Sequence, residues 1–112
     1  MTTRPAGVLV IGHVTRDRNR TSDGPVAERP GGSALYAGCV LAGLGHPVHL
    51  ITKLAARDRT RLLAPLRRAG VRLHAAAAPA TTAFENVYAA DGSRTQRVTR
   101  VLTTWVERLA SG

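Results

Sequence analysis

The sequence is poor in cysteine and in large side chains: one cysteine, one methionine, one tryptophan, one phenylalanine and two tyrosines among 112 residues. A lone Cys39 excludes an internal disulfide and the paired thiolates of a zinc finger, a usage that suits a reducing cytoplasm. Scarce aromatics exclude a core built on rings and leave alanine, valine and leucine to supply the buried area, with less gained per residue. Marginal stability is therefore expected, or a missing partner that covers one face. The longest apolar run is far short of a membrane span, and residues 1–10 do not read as a signal peptide, so no membrane is expected as a partner.

Acids are also few: 7 against 16 basic residues, a net charge of +9. Such a balance raises nucleic acid or an anionic ligand as partners. The basic residues are fifteen arginines and one lysine, scattered from Arg4 to Arg108. No basic stripe with interleaved aromatics occurs, so nucleic acid is not the expected partner. An arginine and alanine bias of this kind often follows genomic base composition. A P-loop, a Gly-x-Gly-x-x-Gly turn after the first strand and a nucleophile elbow are all missing. His46 and His49 flank and enter a strand, where their spacing puts them on opposite faces; they read as surface histidines, not metal ligands. His13 and His74 have no ligand partners nearby in sequence. No catalytic or metal-binding residue is assigned.

What is present reads as an α/β chain. Residues 7–12 form a short β-branched run ended by glycine, the pattern of a fully buried strand. Residues 13–30 are polar and fit either a loop or an exposed hairpin. Residues 33–44 predict a helix with Ser33 as N-cap and Gly45 as stop. Its apolar positions cover more than one face, so it is expected to be largely buried, with Cys39 as packing; Gly38 and Gly43 would admit a close neighbour. Residues 47–52 predict a second strand, and strand–helix–strand in this order implies a right-handed parallel unit. Residues 58–69 predict a surface helix with Asp58 as N-cap, Gly70 as stop and a kink or shortening at Pro65. Residues 71–76 predict a third strand. Residues 81–90 and 93–98, joined by Asp91-Gly92, predict a hairpin, and its polar faces suggest that it covers something other than the main core.

Two features bear on function. Asp17 lies five residues past Gly12, beyond the carboxyl end of the first strand, where ligands of parallel α/β sheets collect. A carboxylate there can accept hydrogen bonds from two adjacent hydroxyls. The bland alternative is a solvated aspartate paired with Arg16 or Arg18. Gly31 and Gly32 open a helix and let a ligand approach the backbone beside free N–H groups; the bland alternative is a tight turn.

Taken in order, Val8-Leu-Val-Ile-Gly-His-Val-Thr-Arg-Asp17, Pro30-Gly-Gly-Ser-Ala-Leu-Tyr-Ala-Gly38, Leu44-Gly-His-Pro-Val-His-Leu-Ile-Thr-Lys53, Leu66-Arg-Arg-Ala-Gly-Val71, Thr81-Thr-Ala-Phe-Glu-Asn-Val-Tyr88 and Asp91-Gly-Ser-Arg-Thr-Gln96 resemble the ribokinase-like (PfkB) family of carbohydrate and nucleoside kinases. The resemblance covers about residues 7–98. It implies a partial ribokinase-like sheet with flanking helices and a small β lid made from segments near 14–29 and 82–98. For complete members it implies transfer of the γ-phosphate of ATP, with Mg2+, to a hydroxyl of a sugar or nucleoside.

Carried over by position, Asp17 resembles the aspartate that holds substrate hydroxyls, and Gly31 and Gly32 the diglycine that contacts substrate. Tyr36 stands where ribokinase-type members have asparagine, and Phe84, Asn86 and Tyr88 on one side of a lid strand would face the substrate. The stretch after Lys53 departs from the family's usual glycine and acidic residues. The family's second signature, an Asp-Thr-x-Gly-Ala-Gly-Asp-like segment that supplies the base and the anion hole, is absent, and phosphoryl transfer depends on such positioning. The resemblance therefore implies a substrate-binding and lid part over residues 1–98 and a non-family helical tail over 99–112: a truncated kinase, inactive by itself. The alternatives are a ligand-binding module, with a homodimer through the lid or the open sheet edge, and a basic nucleic-acid binder.

Overall fold

The computed structural model describes residues 7–21, 24 and 26–100. In chain order these form β1 (Val8–Ile11), β2 (Thr15–Thr21), β3 (Ala27–Gly31), α1 (Ser33–Gly43), β4 (Val48–Ala55), a 3-10 turn over Ala56–Asp58, α2 (Arg59–Arg68), β5 (Arg72–Ala78), β6 (Ala83–Tyr88) and β7 (Arg94–Arg100). The first sheet is wholly parallel, in the order β1-β4-β5. The second has the order β3-β2-β6-β7; β2 runs antiparallel to β3 and parallel to β6, and β6 antiparallel to β7. Two polar hairpins thus merge into one sheet.

The core lies between the first sheet and the two helices. Leu50 and Leu54 of β4 meet Leu35 of α1 and Leu62, Leu63 and Leu66 of α2, with Val48 and Val71 beside them. Among the described residues no aromatic ring joins this cluster. Gly38 sets the spacing of the helices: a Cβ there would stand 2.8 Å from Leu66 Cδ2 and 3.2 Å from Leu50 Cδ1. Gly43, in contrast, has nothing near it. Both helices end in the same way. Gly45 (φ 91°) and Gly70 (φ 85°) take the left-handed conformation, and their N–H groups and those of His46 and Val71 cap carbonyls of the last turn.

The structure corrects several expectations. β1 is not fully buried: Leu9 and Ile11 are 58% and 53% exposed, because the helices cover only one face of the first sheet. α1 is not largely buried either. Ala34, Leu35 and Gly38 are buried, Cys39 is half-buried against the core, and Tyr36, Val40 and Leu44 form an exposed stripe. Gly32, not Ser33, occupies the N-cap position of α1, and no side chain caps it. Asp58 holds the N-cap position of α2, but its carboxylate makes no cap, accepting instead from Thr81 Oγ1 at 2.7 Å. α2 continues through Pro65 rather than stopping there.

The polar segment after β1 is the hairpin and not the loop. β6 and β7 pair as expected, around a turn in which Gly92 has φ 87° and Asp91 Oδ1 accepts from the Ser93 N–H and hydroxyl. β7 carries Thr99 and Arg100 into the sheet, past the expected boundary at residue 98. The expected helix at 101–110 lies outside the described residues. Among the described residues no helix is long and apolar enough to cross a membrane.

Leu63 is fully buried at the helix–sheet junction. Leu63→Ala is expected to lower the unfolding free energy by about 2–5 kcal/mol in urea titrations. A loss below about 1 kcal/mol, the range of ordinary surface changes, would contradict this packing.

Candidate functional site

The site forms where the chain leaves the first sheet and enters the second. The Gly12 N–H still donates to the Ile51 carbonyl, and by Thr15 the chain is in β2. Alternation along β2 then puts Thr15, Asp17 and Asn19 on one face and Arg16, Arg18 and Arg20 on the other. The parallel register with β6 sets Asp17 beside Phe84, Asn19 beside Asn86 and Thr21 beside Tyr88, so Asp17, Phe84, Asn86 and Tyr88 share one face.

Asp17 is held from two sides. Its Oδ1 accepts from Thr15 Oγ1 at 2.7 Å. Its carboxylate also lies against the Cα of Gly31, so closely that any Cβ at that position would overlap it. Gly31 is required for this close approach. Gly32 is required for a different reason: its φ is 96°, and a Cβ would come within 2.6 Å of the His13 carbonyl oxygen.

A cleft of about 380 Å³ opens here, lined by His13, Thr15, Gly32, Ser33, Thr82 and Phe84. It offers three hydroxyls, one imidazole, a ring face and the first turn of α1, where backbone N–H groups are free. His13 Nδ1 lies 3.3 Å from Thr82 Oγ1. Burial pushes the His13 pKa below its ordinary value, which favours the neutral ring. Such a set suits an uncharged ligand rich in hydroxyls.

Of the residues expected from the sequence, Gly32 and Phe84 line the cleft, and Asp17 and Gly31 adjoin it through Thr15. Asn86 is buried further along the same face. Its Nδ2 donates to Asn19 Oδ1 at 2.9 Å, and its Oδ1 is buried without a protein partner. Tyr88 follows on that face. Tyr36 is not brought to the cleft; it is 63% exposed on the outer side of α1. The pairing of Asp17 with a neighbouring arginine is not found. Arg16 turns to the other face, where Glu28 lies 3.5 Å and Asp58 4.0 Å away. Arg61 joins the same two acids at 2.8 Å and 3.4 Å. Thr81, bound to Asp58, also accepts from the Ala55 N–H. This network ties the second sheet to α2 and to the end of β4.

Sequence reasoning missed His13, Thr15 and Thr82 and read Ser33 only as a cap. Thr15 had a usable signal, since residues two apart on a strand share a face. His13 and Thr82 are 69 positions apart and meet only through the fold.

No family model matches this sequence, and no curated protein does. Solved structures do. A pyrophosphate-dependent kinase in the ribokinase family, complexed with a pyrophosphate analog and myo-inositol, is 27% identical over 92% of this chain and 35% of its own, with a TM-score of 0.77. A sulfate complex of a pyrophosphate-dependent kinase in the ribokinase family is 28% identical over 90% and 36%, with a TM-score of 0.74. Ribokinase from Cryptococcus neoformans var. grubii serotype A, in complex with ADP, shares the fold at 20% identity, over 91% and 38%, with a TM-score of 0.68. The α/β architecture, with its parallel sheet, flanking helices and small β sheet, is that of part of a ribokinase-like fold. The chain is a fragment of a ribokinase-family fold, spanning about 35% of the length of the first two of these neighbours.

His13 gives this geometry a pH signature. A pKa lower in the folded than in the unfolded chain means that protonation favours unfolding. The contribution is complete above the unfolded value of about 6.5 and is lost as pH falls through it toward the lower folded value. Tm is expected to fall between about pH 7.5 and 5.5, and His13→Gln to flatten part of that slope. An identical slope in the variant would contradict the burial of this ring.

Proposed function

We propose that this chain is the acceptor-binding part of a ribokinase-family kinase, and that it holds a polyhydroxylated small molecule, a sugar, nucleoside or cyclitol, in the cleft between its two sheets. The observation that carries this reading is the Asp17 carboxylate seated against Gly31 and on one face with Phe84, Asn86 and Tyr88. Asp17 would accept hydrogen bonds from two vicinal hydroxyls and so fix the ring's orientation. Thr15 would keep the carboxylate aimed, and Phe84 would lie against the apolar side of the ring. Gly32 would let the ligand reach the backbone, and Gly31 leaves room for the Asp17 carboxylate. Tyr36 would contribute only from the rim. The lone Cys39 fits a reducing cytoplasm.

In complete family members the hydroxyl so held receives a phosphoryl group, from ATP by the family resemblance; two of the neighbours named above are pyrophosphate-dependent kinases. No residue of this chain is assigned as base. Among the described residues no group of three or more His, Cys, Asp or Glu could hold a metal ion. Binding and orientation of the acceptor are the steps this chain would perform.

Thermal-shift titration with myo-inositol and with ribose tests the reading. At least one is expected to raise Tm, and Asp17→Ala to abolish the shift while the far-ultraviolet circular dichroism stays unchanged. Gly31→Ala, which displaces the carboxylate, should act in the same direction. A shift of equal size in Asp17→Ala would reject the assignment.

A second reading, an oligomerising module, is favoured by the exposed Tyr36–Val40–Leu44 stripe and by β7, an edge strand among the described residues. It predicts a dimer whose population rises with concentration in sedimentation equilibrium. A monomer at all concentrations would exclude it.

A further inference from the structure

Away from the cleft, the uncovered face of the first sheet carries a second cluster of side chains. His49 of β4 and His74 of β5 are 25 residues apart in sequence, yet His49 Nδ1 and His74 Nε2 are 3.0 Å apart. Their ring planes lie within 13° of parallel, with centroids 5.2 Å apart. The pair lines an open hollow of about 530 Å³ with Leu9, Ile51 and two alanines. Nothing in the cleft or in the proposed acceptor binding uses it.

We propose that His49 and His74 form a two-histidine site for a divalent transition-metal ion such as Cu2+ or Ni2+. A neutral imidazole has one N–H and one lone pair, and it is the commonest protein ligand for such ions. Two nitrogens each about 2.1 Å from one ion stand about 2.9–3.0 Å apart at a right angle, and about 3.3–3.4 Å apart in a tetrahedron. The observed 3.0 Å is a hydrogen bond between the rings, and it brings the two nitrogens near enough to reach one ion in either geometry. Now the two nitrogens face each other and share one proton. Rotation of each ring about its Cβ–Cγ bond turns both lone pairs toward a common point above the sheet, and the open face leaves room for it. Whichever ring carries the shared proton passes it to its outward nitrogen through water. Binding to the neutral pair therefore releases no net proton.

The surroundings set the strength of the site. Lys53, two strand positions beyond Ile51, and Arg72, in register with His49, lie on this same face, and β1 contributes only apolar Leu9 and Ile11. Two cations, and no third protein ligand among the described residues, make it a labile site, its remaining positions filled by water.

Calorimetric titration of the full chain with NiCl2 and CuCl2 at pH 7.5 tests the proposal. One binding event is expected, lost in His49→Ala and in His74→Ala and kept in His46→Ala. Circular dichroism checks that each variant is folded. Independently of any variant, the electron paramagnetic resonance spectrum of the Cu2+ complex should show coupling to two imidazole nitrogens. Absence of binding, binding retained in His74→Ala, or coupling to fewer than two nitrogens would overturn the site.

Discussion

The bare Cα of Gly31 leaves just enough room for the carboxylate of Asp17, and the geometry of the cleft depends on that contact. Asp17 is on β2 and Gly31 on β3, so the contact exists only because the polar segment after β1 folds back as a hairpin. The hairpin is in turn aligned by parallel pairing of β2 with β6, which arrives from the far side of the chain. One register then carries Asp17, Asn19, Phe84, Asn86 and Tyr88 to a common face. A shift of one residue would put Arg16 and Arg18 in place of Asp17. The Asp58 network beneath the second sheet opposes such a slip by engaging Arg16 and Glu28 from the other side.

The first sheet shows the opposite economy. Its helices cover one face only, and a small leucine core supports them. The uncovered face keeps Leu9, Ile11 and Ile51 beside two histidines, and α1 keeps an apolar stripe turned to solvent. A chain that spans about 35% of the length of its structural neighbours accounts for this pattern. Strand β1 has the continuous apolar sequence of a strand buried on both sides, but the described residues provide only one covering layer.

The elements themselves were legible where local chemistry determines them. Gly45 and Gly70 stop helices because the left-handed position needs no Cβ, and Asp91-Gly92 turns a hairpin for the same reason. Burial was less legible: the apolar runs of β1 and α1 state what a chain can bury, not what is there to cover it. Long-range pairings were not legible from local pattern. The parallel union of β2 with β6, the meeting of His13 with Thr82 and that of His49 with His74 all join segments far apart in sequence. Asp17 and the diglycine were legible, from their place at the strand end and from the family resemblance together. Tyr36 was expected near the ligand from the family resemblance alone, yet the helical turn carries it outward.

The central claim is that the Asp17–Gly31 contact organises a polyol-binding cleft between the two sheets. Backbone amide chemical-shift mapping of the 15N-labelled chain during titration with myo-inositol tests it most directly. The perturbed amides are expected to cluster at 13–17, 31–34 and 82–86. Perturbation confined to the outer face of α1 or to the open face of the first sheet would contradict it.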